Sequence, residues 1–235
     1  MMRFRFAVAL SFVLAATLLL PSDARPKQAQ QVIRAATSGV VVDATYLREE
    51  QKLARDVYRS LYRRWSLPIF EHIAGAEQRH IERIKLVLDH YRAPDPVKSD
   101  AVGVFRNAKL ATLYRQLVAR GQRSLIAALH VGATVEDLDI YEIEKMQAHL
   151  PGDSPQGLRQ AYAQLKCGSR NHLRAFTRQL QVRGYTYLPQ RLSTAAYAAI
   201  IGGDHERCGC GAGSCRGGAV GGSGCRWGGG RRGAP

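Results

Sequence analysis

Carboxylate and imidazole side chains recur at helical spacing along this chain. Glu77 and His80 stand three residues apart, and so do Glu136 and Asp139. Residues at i and i+3 lie on the same face of an α-helix, so each pair can reach a common ion. Carboxylate and imidazole suit iron, manganese and zinc, whereas copper(I) prefers sulfur. The spacing therefore predicts that these side chains bind a divalent metal.

These side chains also fall inside the apolar stripes of their helices. On a helical wheel Leu53, Val57 and Leu61 surround Glu50, whereas Glu49 points away from them. Helical wheels of the three other long helices likewise place a few carboxylate and imidazole side chains on or beside the apolar faces. The predicted inward-facing set of metal ligands is Glu50, Glu77, His80, Glu136, Asp139 and His172.

The charge of this set bears on what it binds. Burying four carboxylates without compensation would be costly or would force protonation, and two divalent ions would neutralise them. We therefore predict a centre of two iron or manganese ions, with zinc as an alternative. A plainer alternative is a buried ion-pair network in which Arg55, Arg79 or Arg174 satisfies the carboxylates.

Four long helical patterns position the predicted ligands. Each pattern ends at a proline or glycine signal, and no convincing strand alternation appears. A long crossover with a short helix at 107–120 separates the second pattern from the third, and an apolar piece ends at Ile201. This order predicts an all-α fold, an up-down four-helix bundle of the ferritin-like kind. The four patterns cover residues 44–65, 68–91, 124–150 and 154–183.

Several spaced motifs carry a resemblance to a known family. In chain order they are REEQKLARDVY, PIFEHIAGAEQRH, GVFRN, VGATVEDLDIYEI and GSRNHLRAF. Between about Tyr46 and Ile201 the chain resembles the ferritin-like superfamily and, more narrowly, a ferritin-like domain of unknown function, family 2202. The resemblance implies the bundle fold but no established activity.

The resemblance also implies a ligand pattern from which this chain departs. In related di-iron bundles two helices each carry one Glu, and two carry Glu-x-x-His. Here the fourth helix has Ser169 three residues before His172, and Asp139 on the third helix takes the place of the missing carboxylate. A mononuclear or asymmetric centre therefore remains open.

The ends of the chain differ in composition from its middle. Residues 1–24 have a basic start and an apolar run typical of a secretory signal, and residues 25–44 are predicted to be a linker before the domain at 45–201. The tail, 202–235, is rich in Gly, Arg and Cys and is predicted to be disordered. Cys167 is predicted to be a small core residue. We expect a periplasmic or extracellular protein without a stable membrane anchor.

Composition sets the functional expectation. The net charge is +15, but the arginines are scattered, so no specific nucleic-acid partner is expected. We expect an exported metal-binding protein whose partners are divalent ions and oxygen or peroxide, an oxidoreductase if it is an enzyme. The alternative is a non-catalytic bundle that sequesters metal or acts as a basic envelope-associated interaction module. A homodimer is left open.

Overall fold

The fold of the described part of the chain is entirely helical. The computed structural model describes residues 24–209, with side chains described from residue 38 onward, and no strand occurs in this range. The predicted all-α helical bundle is confirmed. The chain divides into two compact units, residues 1–35 and 36–235, and the candidate site lies in the second. The helices are α1 (Ala24–Trp65), α2 (Pro68–His90), α3 (Ala108–Gly121), α4 (Leu125–Ala148), α5 (Gln156–Gln181) and α6 (Thr194–Gly202).

The first helix is longer than the sequence predicts. Residues 25–44, predicted to be a linker, belong to α1. The only proline among them is Pro26, in the first turn, where a helix tolerates a missing N–H. Apart from Pro26, its first two turns consist of alanine, glutamine, lysine and arginine, which favour helices. Of the predicted secretory signal, only Ala24 is described, as the first residue of α1, and residues 1–23 lie outside the described residues.

Local signals define the other helix ends. Pro68 occupies the first turn of α2, two residues after Ser66, whose φ of 50° ends the path of α1. The Asn107 side chain caps α3 by accepting from the backbone N–H of Lys109 at 3.0 Å. Ser124 caps α4 in the same way. The predicted bounds of these helices therefore lie close to the observed ones.

Two apolar clusters fill the bundle, and four of the six candidate residues, Glu50, Glu77, His80 and His172, lie between them in sequence. On α1, Leu47 belongs to one cluster and Leu53 to the other, with Glu50 between them. The same order holds on α2, where Glu77 and His80 fall between the two clusters. The structure therefore keeps a polar layer inside an otherwise apolar core, and such a layer is stable only if its groups are satisfied.

Buried charged side chains of α1 fasten the crossover that links α2 to α3. Glu49 accepts from the backbone N–H groups of Arg106 at 2.5 Å and Asn107 at 3.0 Å. Lys52 donates to the carbonyl oxygen of Ala101 at 2.8 Å. The wheel correctly excludes Glu49 from the bundle face, but this carboxylate is buried under the crossover rather than exposed.

A second buried carboxylate, Asp137, has a structural role. Its oxygens accept from the Tyr187 hydroxyl at 2.8 Å and from the backbone N–H groups of Gln190, Arg191 and Leu192. These four donors fix the segment between α5 and α6 against α4. Both oxygens of Asp137 are engaged in holding this segment, so the role of this carboxylate is structural.

The start of the predicted disordered tail is attached to the bundle. Cys167 forms a disulfide with Cys208, with their Cα atoms 5.6 Å apart. Cys167 is buried, as predicted, but it is cross-linked rather than a free core residue. The sequence does not reveal this pairing because four cysteines of the tail compete for one partner. Residues 210–235 of the predicted tail lie outside the described residues.

Candidate metal centre

The structure brings three of the six predicted ligands into one group. Glu77 from α2, Glu136 from α4 and His172 from α5 each offer a ligand atom, and these atoms all lie within 4.8 Å of one another. The two carboxylates are buried, and 12% of the His172 side chain is exposed. Three helices thus converge on one position that a small ion could occupy. Glu50, His80 and Asp139 flank this group without belonging to it.

Glu77 connects the two histidines. Its Oε2 lies 2.9 Å from Nδ1 of His80, and its Oε1 lies 2.8 Å from Nδ1 of His172. Burial alone would raise the pKa of Glu77, but the two histidines outweigh it and lower the pKa to about 2. Glu77 is therefore ionised at any physiological pH and holds both rings.

The contact between Glu77 and His172 is short. Glu77 Oε1 and His172 Nδ1 are both buried and lie 2.8 Å apart as an ion pair. Two ligand atoms that bind one ion at about 2.1 Å are themselves about 3 Å apart. The pair thus has the geometry of two ligands of the same cation.

Glu136 is held on its other side by Tyr58. The Tyr58 hydroxyl donates to Oε1 of Glu136 at 2.5 Å, and Oε2 lies 3.4 Å from Nδ1 of His172. Burial raises the pKa of Glu136, and His172 opposes this effect. Burial alone would lower the pKa of His172, but Glu136 and Glu77 raise it to about 10. In the absence of a metal, the imidazole therefore carries the compensating positive charge.

Glu50 is the least satisfied residue of the set. Both of its carboxylate oxygens are buried without a hydrogen-bond partner. Burial raises its pKa well above the ordinary value, and the charges of Asp139, Glu142 and Glu77 raise it further. Sequence reasoning missed Glu142, although its position three residues after Asp139 is the same i+3 signal used elsewhere.

Asp139 is partnered by neutral donors. Gln51 Nε2 donates to Oδ1 at 2.5 Å, and the Ser169 hydroxyl donates to Oδ2. Ser169 lies on α5 three residues before His172, and its hydroxyl joins this helix to Asp139 on α4. The Gln51 carbonyl oxygen also lies 3.0 Å from His80 Nδ1, so this amide links Asp139 to His80. Sequence reasoning missed Gln51, because a glutamine beside a glutamate gives no metal signal of its own.

The alternative ion-pair network is not formed. Arg55 pairs with Asp56 and Asp100, and Arg79 donates to a backbone carbonyl. Arg174 pairs with Glu206. Among residues 38–209, no arginine or lysine lies within salt-bridge distance of the four carboxylates of the set, so their negative charge is met only by the two histidines. The partners of these carboxylates are His80, His172, Tyr58, Gln51 and Ser169.

A pocket of about 340 Å³ leads from the surface towards the histidines. Its walls come from α2, α5 and the segment after α6, and His80 and His172 are among the residues that line it. The two rings lie 5.8 Å apart, centre to centre, and 13% of the His80 side chain is exposed. Small molecules could therefore approach the centre from its histidine side.

Close packing of α5 against His80 explains why residue 168 is a glycine. A Cβ atom added to Gly168 would lie 2.6 Å from Nε2 of His80, closer than any real contact. A side chain at this position would push the imidazole away from Glu77.

We therefore predict that Gly168→Ala weakens metal binding about ten- to a hundredfold, as changes beside ligands commonly do. Isothermal titration calorimetry with Mn(II) measures this effect. Gly75→Ala on α2 is the matched control, because a Cβ there meets nothing within 4 Å. Equal affinities for the wild type and Gly168→Ala would show that the position of His80 has no bearing on binding.

The comparisons with known proteins agree with the sequence motifs. The model of the uncharacterized protein domain DUF2202 matches residues 43–204. The uncharacterized protein MJ0754 of Methanocaldococcus jannaschii is 47% identical over 161 residues, which cover 68% of this chain and 85% of that protein. The crystal structure of the hypothetical protein MJ0754 resembles this chain with a TM-score of 0.67 and 45% identity, covering 72% of this chain and 93% of that chain. The predicted family is confirmed, and the chain belongs to the DUF2202 family.

Proposed function

We propose that this chain is a ferritin-like metalloprotein that binds Fe(II) or Mn(II) between its helices and uses the ion in reactions with oxygen or peroxide. One observation carries the proposal. Both carboxylate oxygens of Glu50 are buried without a hydrogen-bond partner, and the ligand atoms of Glu77, Glu136 and His172 lie within 4.8 Å of one another. Unpartnered buried polar groups are rare in folded proteins, and a cation would satisfy all of them.

The residues present fit a divalent ion. Glu77, Glu136 and His172 would hold the first ion, because their ligand atoms already lie close together. Glu50 and Asp139, with His80, would hold a second. The four carboxylates balance the charge of two divalent ions, which is the charge argument made from the sequence. Zinc binds the same types of ligand but, unlike iron and manganese, is redox-inactive.

The chain's own residues orient the ligands and control access to them. Tyr58 fixes one oxygen of Glu136, and Gln51 with Ser169 fixes Asp139. The apolar clusters on either side keep bulk water away from the carboxylates, so a reactant enters past the histidines. Bound iron or manganese would supply the one-electron chemistry that oxygen and peroxide require.

We also propose export to an oxidising compartment. The disulfide between Cys167 and Cys208 supports this, because such bonds persist outside the cytosol in most organisms. The basic, apolar start of the chain supports it as well.

The test is turnover by protein reconstituted with Mn(II), Fe(II) or Zn(II). We expect the manganese or iron form to consume hydrogen peroxide or oxygen faster than the same amount of free ion. The zinc form should bind its ion and consume neither. Stoichiometric binding of all three ions without turnover would contradict a reactive centre and leave a protein that sequesters metal.

A further inference from the structure

The segment after α6 is fastened across one side of α5. We define this strap as residues 203–209. Glu206 pairs with Arg170 and with Arg174, the latter at 2.9 Å. The Asn171 side chain accepts from the backbone N–H of Glu206 and donates to its carbonyl oxygen, both at 2.9 Å. The disulfide of Cys208 adds a covalent attachment.

The strap forms a wall of the pocket that leads to the histidines. His205 and Cys208 line this pocket together with residues of α2 and α5, among them His80 and His172. The two histidines are 13% and 12% exposed with the strap in place. The position of the strap therefore bears directly on how much of each ring a solute can reach.

We infer that the strap is a thiol-controlled gate that narrows this pocket while Cys167 and Cys208 are joined and widens it when they are reduced. The inference concerns access to the proposed metal centre and rests on that function. The covalent bond decides the state because the ion pairs that remain are partly open to water: the side chains of Glu206, Arg170 and Arg174 are 31%, 23% and 16% exposed, and such pairs contribute far less than a covalent bond. Without the disulfide, residues 205–208 would separate from α5 frequently.

The switching step needs a dithiol reductant. The reductant gives two electrons and two protons, the bond between the two sulfur atoms breaks, and two cysteine thiols form while the reductant becomes a disulfide. An oxidised dithiol reverses the step.

The test compares the oxidised full-length protein with Cys167→Ser, in which the strap has no covalent attachment to α5. Cys225→Ser is the control, because it leaves the bond between Cys167 and Cys208 intact. Diethyl pyrocarbonate labels accessible imidazoles, and mass spectrometry of peptides reports the rate for each histidine. We expect labelling of His80 and His172 to be at least about tenfold faster in Cys167→Ser, as for a segment that opens locally.

The exposed His72 serves as the internal reference and should label at one rate in every form. Reducing the wild type with dithiothreitol, followed by its removal, should reproduce the Cys167→Ser rates. Equal labelling of His80 and His172 in oxidised, reduced and variant protein would overturn the gate. If Cys167→Ser does not fold, Cys208→Ser combined with Cys210→Ser replaces it, since Cys208 is exposed.

Rates of Co(II) uptake, followed by its visible absorption, separate the two proposals. Faster uptake by Cys167→Ser than by Cys225→Ser supports both. Uptake at one rate in both variants contradicts the gate alone. No uptake by any form contradicts the metal centre, and in that case the labelling rates still decide whether the strap opens.

Discussion

Replacing Glu77 with glutamine should reduce the affinity for Mn(II) by at least about a hundredfold. Glu77 is the carboxylate that contacts both histidines, and its pKa of about 2 shows how strongly its charge is stabilised there. Glutamine keeps the shape of the side chain but removes the negative charge, and an amide is a far weaker ligand. Losses of this size exceed those caused by changes in residues that only orient ligands.

Glu82→Gln on the same helix is the matched control for this change. Glu82 is exposed and accepts a hydrogen bond from Gln78, so its charge lies away from the centre. Titration calorimetry should give the wild-type affinity for Glu82→Gln. If Glu77→Gln also binds Mn(II) with wild-type affinity and keeps its helical content, Glu77 is not a ligand of the ion.

Replacing Glu50 with leucine should stabilise the metal-free protein by about 1–3 kcal/mol at pH 7. Both oxygens of Glu50 are buried without a partner, and an unsatisfied buried polar group costs about that much free energy of unfolding. Leucine has no polar atoms to leave unpaired. Urea denaturation of the metal-free proteins measures the difference, and the same variant should bind less Mn(II).

The gain from Glu50→Leu should be larger at pH 7 than at pH 4. The pKa of Glu50 is raised in the folded protein by burial and then by Asp139, Glu142 and Glu77. In the unfolded chain the pKa of this group is near 4.5. As the pH rises above that value, the carboxyl group ionises more readily in the unfolded chain than in the folded protein, so the wild type loses stability. Leucine does not titrate, so the difference between variant and wild type grows with pH.

Glu49→Leu provides the contrast. Glu49 is as buried as Glu50, but both of its oxygens accept backbone hydrogen bonds from the end of the crossover, just before α3. Its replacement leaves two N–H groups without an acceptor and should destabilise the protein. If Glu49→Leu and Glu50→Leu both destabilised the metal-free protein, Glu50 would be an ordinary structural carboxylate.

Helical periodicity predicts most of the fold and the core of the site. Pro68 and Gly121 mark helix ends that the structure places within a residue of the predicted ones. A wheel shows which carboxylates and histidines share a stripe with apolar residues, and the six residues that it selects include Glu77, Glu136 and His172, whose ligand atoms lie close together. The fold of the bundle then brings the stripes together.

Contacts that depend on neighbouring segments are not visible in a single helix. Glu49 is buried by the crossover, and Gln51 joins Asp139 to His80 across three helices. Neither residue has a spacing that separates it from an exposed polar residue. The partner of Cys167 is likewise fixed by where the chain returns after α6, and no local pattern encodes that path.

The most direct test of the metal centre is anomalous diffraction from crystals grown with Mn(II), measured on either side of the manganese absorption edge. The account predicts a peak within about 2.5 Å of oxygen atoms of Glu77 and Glu136 and of a ring nitrogen of His172, as for a directly coordinated ion. No peak among the four helices, with Glu77 and His172 still in contact, would contradict it.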